Sequence, residues 1–465
     1  MKANIFREYD IRGIVGDEFV LENTYDLACA IATFLKHKNP ENSRVVIGRD
    51  GRTHSLAIQR EIIRGLCDSG FDVIDLGLCP SPAVYFAVYH LHIPAALVVT
   101  ASHNPKHYNG IKIWGAWGTQ IQTVRKLYET KDFSLADHPG ALQTYPINEP
   151  YIDYLVNHFA HLKNLPMHAV IDCGSGTGGA VIPALIKKMN WPNISALFAE
   201  VDGTFPYHEA DPTVPENMAY VAQALREDPL LEVGLGLDGD CDRMDPMTKQ
   251  GELVAGDKLL TLFARNVVHE NPGVAVVCDI KGSGCFTDAI KKWGGKPCFA
   301  PSGYALIKKT MAEQGALLAG ELSCHFSFHD RYFGYDDGIY AMMRTIELIH
   351  ESGRTLDALL QDIPHKISSP EFRIACTSDS EKTAIVDCVK KSFAARADLE
   401  LITIDGVRAH MNYGWGLLRA SNTQPVICLR FESDTTEGLV RVKNDFYALI
   451  KGYFDERTLK EKIGL

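Results

Sequence analysis

Val45-Val46-Ile47-Gly48-Arg49-Asp50-Gly51 is an apolar, β-branched run that ends in an aspartate and a glycine. A run of this kind, followed by a helical pattern, reads as a strand buried on both faces and so as part of an α/β layer with a largely parallel sheet. The same plan returns in Ala169-Val170-Ile171-Asp172-Cys173-Gly174 and in Val274-Ala275-Val276-Val277-Cys278-Asp279-Ile280-Lys281. Recurrence at domain-sized intervals predicts three related α/β units in tandem, not a short-period solenoid. The competing reading is an α/β protein whose strands end alike without being related.

Working outward, apolar spacing predicts helices over residues 23–36, 56–69, 181–189, 217–227, 256–269 and 336–350. Residues 134–150 are rich in turn formers and read as the first linker. The last hundred residues differ: strands are predicted over 371–377, 401–405 and 425–432, with a closing helix over 436–451. That α+β pattern sets off a smaller fourth domain. The expected domains are 1–150, 151–253, 254–366 and 367–465.

The composition suits this plan. With 465 residues, 46% apolar and 23% charged, the chain is neither disordered, coiled coil nor collagen-like. Lys plus Arg is 47 against 58 for Asp plus Glu, a net charge of −11. Such a chain lacks the basic face that nucleic-acid binding needs, so any anionic ligand requires a local positive site. Twelve cysteines are scattered with no C-x-x-C pair, which points to reduced thiols in a cytosolic protein, not a disulfide or zinc framework. The first ten residues hold no apolar signal region. The longest apolar run, residues 93–99, is far short of the roughly 20 residues that span a bilayer. A soluble, cytoplasmic protein without membrane partners is expected, and a monomer, since no pairing segment is evident.

Four segments carry chemistry. Asp238-Gly239-Asp240-Cys241-Asp242-Arg243 follows an apolar strand and sets three carboxylates at alternate positions of a turn. They converge only if a cation offsets their repulsion, and hard oxygen ligands favour Mg²⁺, Mn²⁺ or Ca²⁺; a solvated acidic turn is the bland alternative. An EF-hand is excluded, because Arg243 and Lys249 stand where its glycine and glutamate would be. Thr100-Ala101-Ser102-His103-Asn104-Pro105 places a serine at a strand end, where open α/β sheets bind ligands. Ser102 is either a turn residue or a nucleophile, and no nucleophile-elbow motif surrounds it. Arg419-Ala420-Ser421-Asn422-Thr423-Gln424-Pro425 has the composition of a phosphate cradle or of a polar hairpin turn. Gly320-Glu321-Leu322-Ser323-Cys324-His325 offers groups suited to sugar hydroxyls. Gly174-Ser175-Gly176-Thr177-Gly178-Gly179 looks like a dinucleotide fingerprint but lacks the later ribose-binding acid.

Taken in order, these segments resemble the α-D-phosphohexomutase family from end to end. Phe6-Arg7-Glu8-Tyr9-Asp10-Ile11-Arg12-Gly13 is similar to the family's opening motif, residues 100–105 to its phosphoserine loop, and 238–243 to its metal loop. Residues 320–325 are similar to its sugar loop and 419–425 to its phosphate loop. Residues 331–340 and Lys308-Lys309 point to the bacterial bifunctional phosphomannomutase/phosphoglucomutase branch. The resemblance implies three related α/β domains with mixed sheets and a smaller α+β C-terminal domain around a central cleft. It implies reversible transfer of a phosphoryl group between the 1- and 6-positions of mannose and glucose phosphates, through phosphorylated Ser102 and a hexose 1,6-bisphosphate that also serves as activator. The alternatives are a phosphoglucosamine mutase, a phosphatase or a non-catalytic sugar-phosphate binder.

The resemblance also assigns roles. Mg²⁺ would be held by Asp238, Asp240, Asp242 and the phosphorylated Ser102. Lys112 is the candidate general acid/base with Arg12 beside it, and His103 and His325 are alternative proton carriers. Arg419, Ser421, Asn422 and Thr423 would hold the phosphate that is not transferred. Glu321 and Ser323 would read the sugar's 3- and 4-hydroxyls, with Tyr9, Arg243, Lys281, Tyr304 and His325 as further contacts. Leu322 is an apolar counterpart of the usual methionine, whereas glucosamine-phosphate mutases usually carry glutamine there, which tilts the substrate toward mannose and glucose phosphates. The chain departs from the pattern at Cys241 and Cys324, where glycines are expected, and at Tyr304, where histidine is common. It departs again at Met244-Asp245-Pro246, where β-branched residues are expected. A proline there disfavours a central strand.

Overall fold

The computed structural model describes residues 1–116, 118–133, 135–421 and 425–465. Among the described residues there are four sheets. The chain gathers into two compact units. The first comprises Met1–Ala255, Ser323–Ser327 and Tyr335–Ala358; the second comprises Gly256–Leu322, Phe328–Gly334 and Leu359–Leu465.

In the first unit, Arg44–Arg49 lies between Asp72–Leu78 and Ala96–Val99, both parallel to it. Tyr108–Ile113 joins Ala96–Val99 antiparallel, and Ile11–Ile14 closes that edge. The sheet is therefore mixed. The central strand is buried over Val45–Val46–Ile47, as a continuous apolar run requires. Its core is filled from one face by the helices Thr24–Lys38 and Ser55–Asp68. Leu142–Thr144 pairs parallel with Asp72–Leu78 inside the segment expected to be a linker. All three of its residues are exposed, so no burial pattern marked it as a strand.

The second sheet of this unit repeats the parallel core: Ala169–Asp172 lies between Ile194–Leu197 and Val233–Leu237. Met244–Thr248 pairs antiparallel with Val233–Leu237 at the sheet edge, with Pro246 opposite Leu235. The proline is thus admitted at an edge, where its missing N–H costs no central ladder bond. In the second unit, Ala275–Asp279 has parallel neighbours on both sides, Lys296–Ala300 and Leu318–Gly320. The C-terminal part is a meander: Val426–Ser433, Gly414–Ala420, Val407–Met411 and Glu400–Ile402 pair antiparallel in turn. The helices Asp379–Ala394 and Thr436–Ile450 cover it around Leu418, Leu429 and Phe446. No helix among the described residues is long and apolar enough to cross a membrane.

Candidate active site

Pairing of Ile11–Ile14 with Tyr108–Ile113 sets Arg12 opposite Gly110, and pairing with Ala96–Val99 sets Lys112 opposite Val98. The two cations therefore stand on adjacent strands, next to the loop that leaves Val99. In that loop Ser102 has φ +51°, a left-handed conformation that costs a side-chain-bearing residue about 1–2 kcal/mol. The strain is held by donors. Ser102 N donates to Thr100 Oγ1 at 2.9 Å, and Arg52 Nη2 donates to the Ser102 carbonyl at 2.7 Å. Arg52 also donates to the carbonyls of Asn104, Pro105 and Tyr108, and it is anchored by Asp50 at 3.1 Å. Arg12 donates to Asn104 Oδ1 at 2.6 Å, to the Ala101 carbonyl at 3.2 Å, and to Asp10.

The Ser102 hydroxyl donates to Asp238 Oδ2 at 2.8 Å and lies 3.1 Å from His103 Nδ1. The acidic turn is thus brought to the serine loop from the second sheet of the same unit. Asp238, Asp240 and Asp242 are all buried and offer oxygens within 4.8 Å of one another. Lys112 donates to Asp240 at 2.7 Å and to Asp242 at 2.5 Å, while Arg243 Nε donates to Asp238 at 3.2 Å. Asp240 Oδ1 and Asp242 Oδ1 are buried without a hydrogen-bond partner among the described residues. An unsatisfied carboxylate oxygen pair beside a third carboxylate is a donor set that fits a hard divalent cation. Close approach is permitted by glycine: a Cβ on Gly239 would come within 2.7 Å of the Ser102 carbonyl.

Charge decides the protonation states. Burial, then Asp242 and Asp240, push the Asp238 carboxyl up to about 8 in the metal-free protein. Burial also raises Asp240, but the Lys112 charge and hydrogen bonds from Lys112 and Ser81 outweigh it and hold Asp240 at about 2. Burial lowers Lys112, and the carboxylates of Asp240 and Asp242 overcome it, so the ammonium is kept well above its usual range. Burial and the cations Arg243 and Arg12 hold the His103 imidazole well below 6.5, neutral near pH 7. Lys112 is therefore a proton holder and His103 an acceptor in this state.

A pH dependence follows. Between about 4 and about 8 the folded, metal-free protein keeps a proton on Asp238 that the unfolded chain has lost, so its stability falls as pH rises through that window. A divalent cation must displace this proton. Its affinity should climb about tenfold per pH unit from pH 6 and flatten near pH 8. Calorimetry at pH 7 in buffers of different ionisation heat should read about one proton released per ion bound.

His325 stands beside this site, its Nδ1 3.2 Å from Asp336 Oδ2 and 3.9 Å from Asp242 Oδ1. Tyr9 lies half-buried just before the Ile11–Ile14 strand, and Ser323 half-buried just before Cys324. The remaining expected residues belong to the second unit. There Lys281 is 3.4 Å from Asp279 and 3.5 Å from Glu371, and burial of its ammonium is outweighed by Asp279, Glu371 and Glu321, which raise it. Arg419 Nε donates to Asp405 at 2.8 Å, and the same oxygen takes the Ser302 N–H at 3.1 Å. Asp279 accepts from Ser302 Oγ at 3.2 Å and from Leu322 N at 3.2 Å, which ties the 320–322 turn to the strand end. Tyr304 opens the helix Tyr304–Gln314, with the Lys308 ammonium 5.5 Å from its ring centre. Ser421 is buried, its carbonyl accepting from Lys382 at 2.8 Å. Asn422 and Thr423 lie outside the described residues.

Several contributors were not visible in the sequence. Arg52 and Ser81 act through partners many residues away, and only the Asp50 turn hinted at Arg52. Asp10 and Asp336 lie in motifs of the sequence, but their pairing with Arg12 and His325 was not foreseen. The glycine-rich 174–179 turn has a different use from dinucleotide binding: Thr177 N donates to the Gly239 carbonyl at 3.0 Å, and a Cβ on Gly176 would strike that carbonyl at 2.7 Å. Cys241 and Cys324 keep left-handed backbones, φ +61° and +62°, so the geometry that favours glycine is retained.

Four family models match the chain in order: phosphoglucomutase/phosphomannomutase α/β/α domain I over residues 3–130, domain II over 149–251, domain III over 255–367 and the C-terminal domain over 372–449. The chain is similar to the phosphomannomutase/phosphoglucomutase of Pseudomonas aeruginosa, 40% identical over 457 residues, which cover 97% of this chain and 96% of that one. It is similar to the phosphoglucomutase of Neisseria gonorrhoeae, 38% identical over 452 residues, which cover 96% and 97%. Among solved structures, a phosphoglucomutase/phosphomannomutase family protein from Burkholderia thailandensis superposes with a TM-score of 0.88 at 32% identity, covering 97% of this chain and 98% of that one.

Proposed function

This chain belongs to the phosphoglucomutase/phosphomannomutase family, and from that premise we propose that it moves a phosphoryl group between the 1- and 6-positions of mannose and glucose phosphates. The observation that carries the reading is the Ser102 hydroxyl, 2.8 Å from Asp238, within a buried set of three carboxylates and three basic side chains. A non-catalytic binding protein needs no such serine held against both a carboxylate and a neutral imidazole.

Phosphorylated Ser102 passes its phosphoryl group to the free hydroxyl of the sugar monophosphate, which gives the 1,6-bisphosphate. The bisphosphate turns end for end and returns its other phosphoryl group to Ser102. On the return step the Ser102 Oγ–H must lose its proton as the oxygen bonds phosphorus, and His103 Nδ1, 3.1 Å away and neutral, can accept it. Lys112 and Arg12 supply fixed positive charge beside the reacting oxygen. Asp238, Asp240 and Asp242 would hold Mg²⁺, which when bound offsets charge on the transferring group. Arg419 and Ser421 are assigned to the phosphate that is not transferred, Glu321 and Ser323 to the sugar's hydroxyls, and Tyr9, Arg243, Lys281, Tyr304 and His325 to further contacts. These cations supply local positive charge within a chain of net charge −11.

With purified protein, Mg²⁺ and a catalytic amount of hexose 1,6-bisphosphate, mannose 1-phosphate and glucose 1-phosphate should both be converted to the 6-phosphates. Turnover of glucosamine phosphate with neither hexose accepted would overturn the substrate assignment. Release of inorganic phosphate matching substrate loss would overturn the mutase assignment in favour of hydrolysis.

A further inference from the structure

Residues 280–283 form the turn between the strand Ala275–Asp279 and the helix Gly284–Lys292, and Lys281 stands in it. The turn lies against the C-terminal meander. There Leu417 is paired with Arg408 on one side and Arg430 on the other, and Trp415 with His410 and Glu432. Leu418 and Leu429 belong to the core under the helices, so alternation turns Leu417, Arg408 and Arg430 to the opposite face. On that face Trp415 and Leu417 pack with Ile280. Around this apolar contact, charged side chains close on the backbone of the turn. Arg408 Nη1 donates to the carbonyls of Ile280 at 2.8 Å and Gly282 at 2.6 Å. Arg430 Nη1 donates to the Lys281 carbonyl, and to Asp257 at 3.0 Å. Glu432 accepts from Ser283 Oγ at 2.5 Å and from Gly284 N at 2.7 Å. All three residues are buried, and the Arg408 guanidinium lies 3.6 Å from the Trp415 ring centre and 4.4 Å from that of Phe299.

Burying two guanidiniums is a costly way to anchor a turn that apolar packing around Ile280 already holds. What the charges add is direction. The carbonyls of Ile280 and Lys281 belong to the two planar peptide units on either side of the Lys281 Cα. Holding both planes fixes the Lys281 dihedrals, and with them the line along which its side chain leaves the turn. Arg419 lies two residues beyond Leu417 on the same strand, and so on the same face of the sheet. One sheet face thus carries Arg419 and holds the backbone of Lys281. We propose that Arg408 and Arg430 are positioning residues, which fix the backbone around Lys281 so that its ammonium meets the substrate together with Arg419. The proposal rests on the mutase reading above, from which Lys281 and Arg419 take their roles. Arg408 and Arg430 act on the substrate only through Lys281, so removing them matters for binding only while Lys281 is present.

The test is a cycle on the full chain with Arg408→Met, Lys281→Met and the double variant, read as KM and kcat for glucose 1-phosphate. Arg408→Met is expected to raise KM about tenfold with kcat changed less than about threefold, since it disorders a binding contact and removes no reacting group. In the Lys281→Met background the same substitution is expected to change KM by less than about twofold. Arg408→Lys and Arg430→Lys keep the charge on a compact ammonium without the rigid planar geometry, and each is expected to raise KM about threefold, again only while Lys281 is present. These two variants carry the cycle if Arg408→Met does not fold. Equal changes of KM in both backgrounds would overturn the proposal, as would a lowered melting temperature with KM unchanged. An inactive parent enzyme would instead strike the mutase reading, and the same cycle read as glucose 1-phosphate affinity by calorimetry would still decide the part played by Arg408.

Discussion

Ser102→Ala should leave a folded protein with essentially no mutase turnover, a loss on the order of 10⁴-fold or more, the scale that follows removal of a covalent nucleophile. The backbone of the loop does not depend on the hydroxyl. Ser102 N is held by Thr100, its carbonyl by Arg52, and the neighbouring carbonyls by the same guanidinium. Alanine keeps the Cβ that the φ of +51° already tolerates. What disappears is the oxygen that donates to Asp238 and faces His103. Asp238 retains Arg243, through both Nε and the backbone N–H at 3.2 Å. The stability change is thus that of one lost hydrogen bond, about 1 kcal/mol. Intact-mass spectrometry supplies the second readout: a phosphate-sized increment on the parent, mapping to Ser102 and absent from the variant. Full activity in Ser102→Ala would remove the nucleophile assignment altogether.

The contrast between what the sequence disclosed and what it hid has a physical basis. Buried parallel strands announce themselves, because a run apolar on both faces has few other uses; Val45–Val46–Ile47 and Ala169–Asp172 were readable for that reason. So were the three aspartates of the acidic turn, since charges spaced so closely need a local explanation. The meander strands Val407–Met411 and Gly414–Ala420 were missed; the first is only five residues long, and Gly414 and Gly416 break the alternation of the second. Gly416 is there to clear the Phe446 ring, which a Cβ would approach to 2.3 Å. That reason lies 30 residues away and cannot be read locally. The same holds at the site. Lys112 was visible as a motif, but its two acceptors lie 128 and 130 residues on, and they turn it from a candidate base into a held cation. The steering acids Asp279, Asp405 and Glu371 are likewise defined only by the folded second unit. A local motif names the groups that can react, whereas their protonation is set by long-range partners.

Lys112→Met is the stricter test of that arrangement. The ammonium is 6% exposed and serves two buried carboxylates at once, 2.7 Å from Asp240 and 2.5 Å from Asp242. At such distances even a screened ion pair is worth about 4 kcal/mol of attraction, and removing one partner leaves the others buried and uncompensated. The metal-free variant should therefore lose about 3–5 kcal/mol of stability at pH 7. The contribution of Asp240 to the pH response should also change sign. In the parent, Asp240 at about 2 contributes stability that is present above about 4 and lost as acid carries the pH down toward 2. Without the Lys112 charge, burial is left as the first influence on Asp240 and raises it, so the folded variant takes up a further proton and gains more stability in mild acid than the parent gains from Asp238 alone. A divalent cation should bind the variant at least about tenfold more tightly, because the positive charge that competed for those carboxylates is gone. Turnover should nonetheless fall by roughly 10²–10⁴-fold, the range for loss of a positioned acid or base. Tighter metal binding with lost turnover separates the two functions of the site: the carboxylates hold the cation, and the lysine places charge and a proton where the phosphoryl group moves. If metal affinity falls together with turnover, Lys112 is needed to assemble the carboxylates and has no separate part in the transfer.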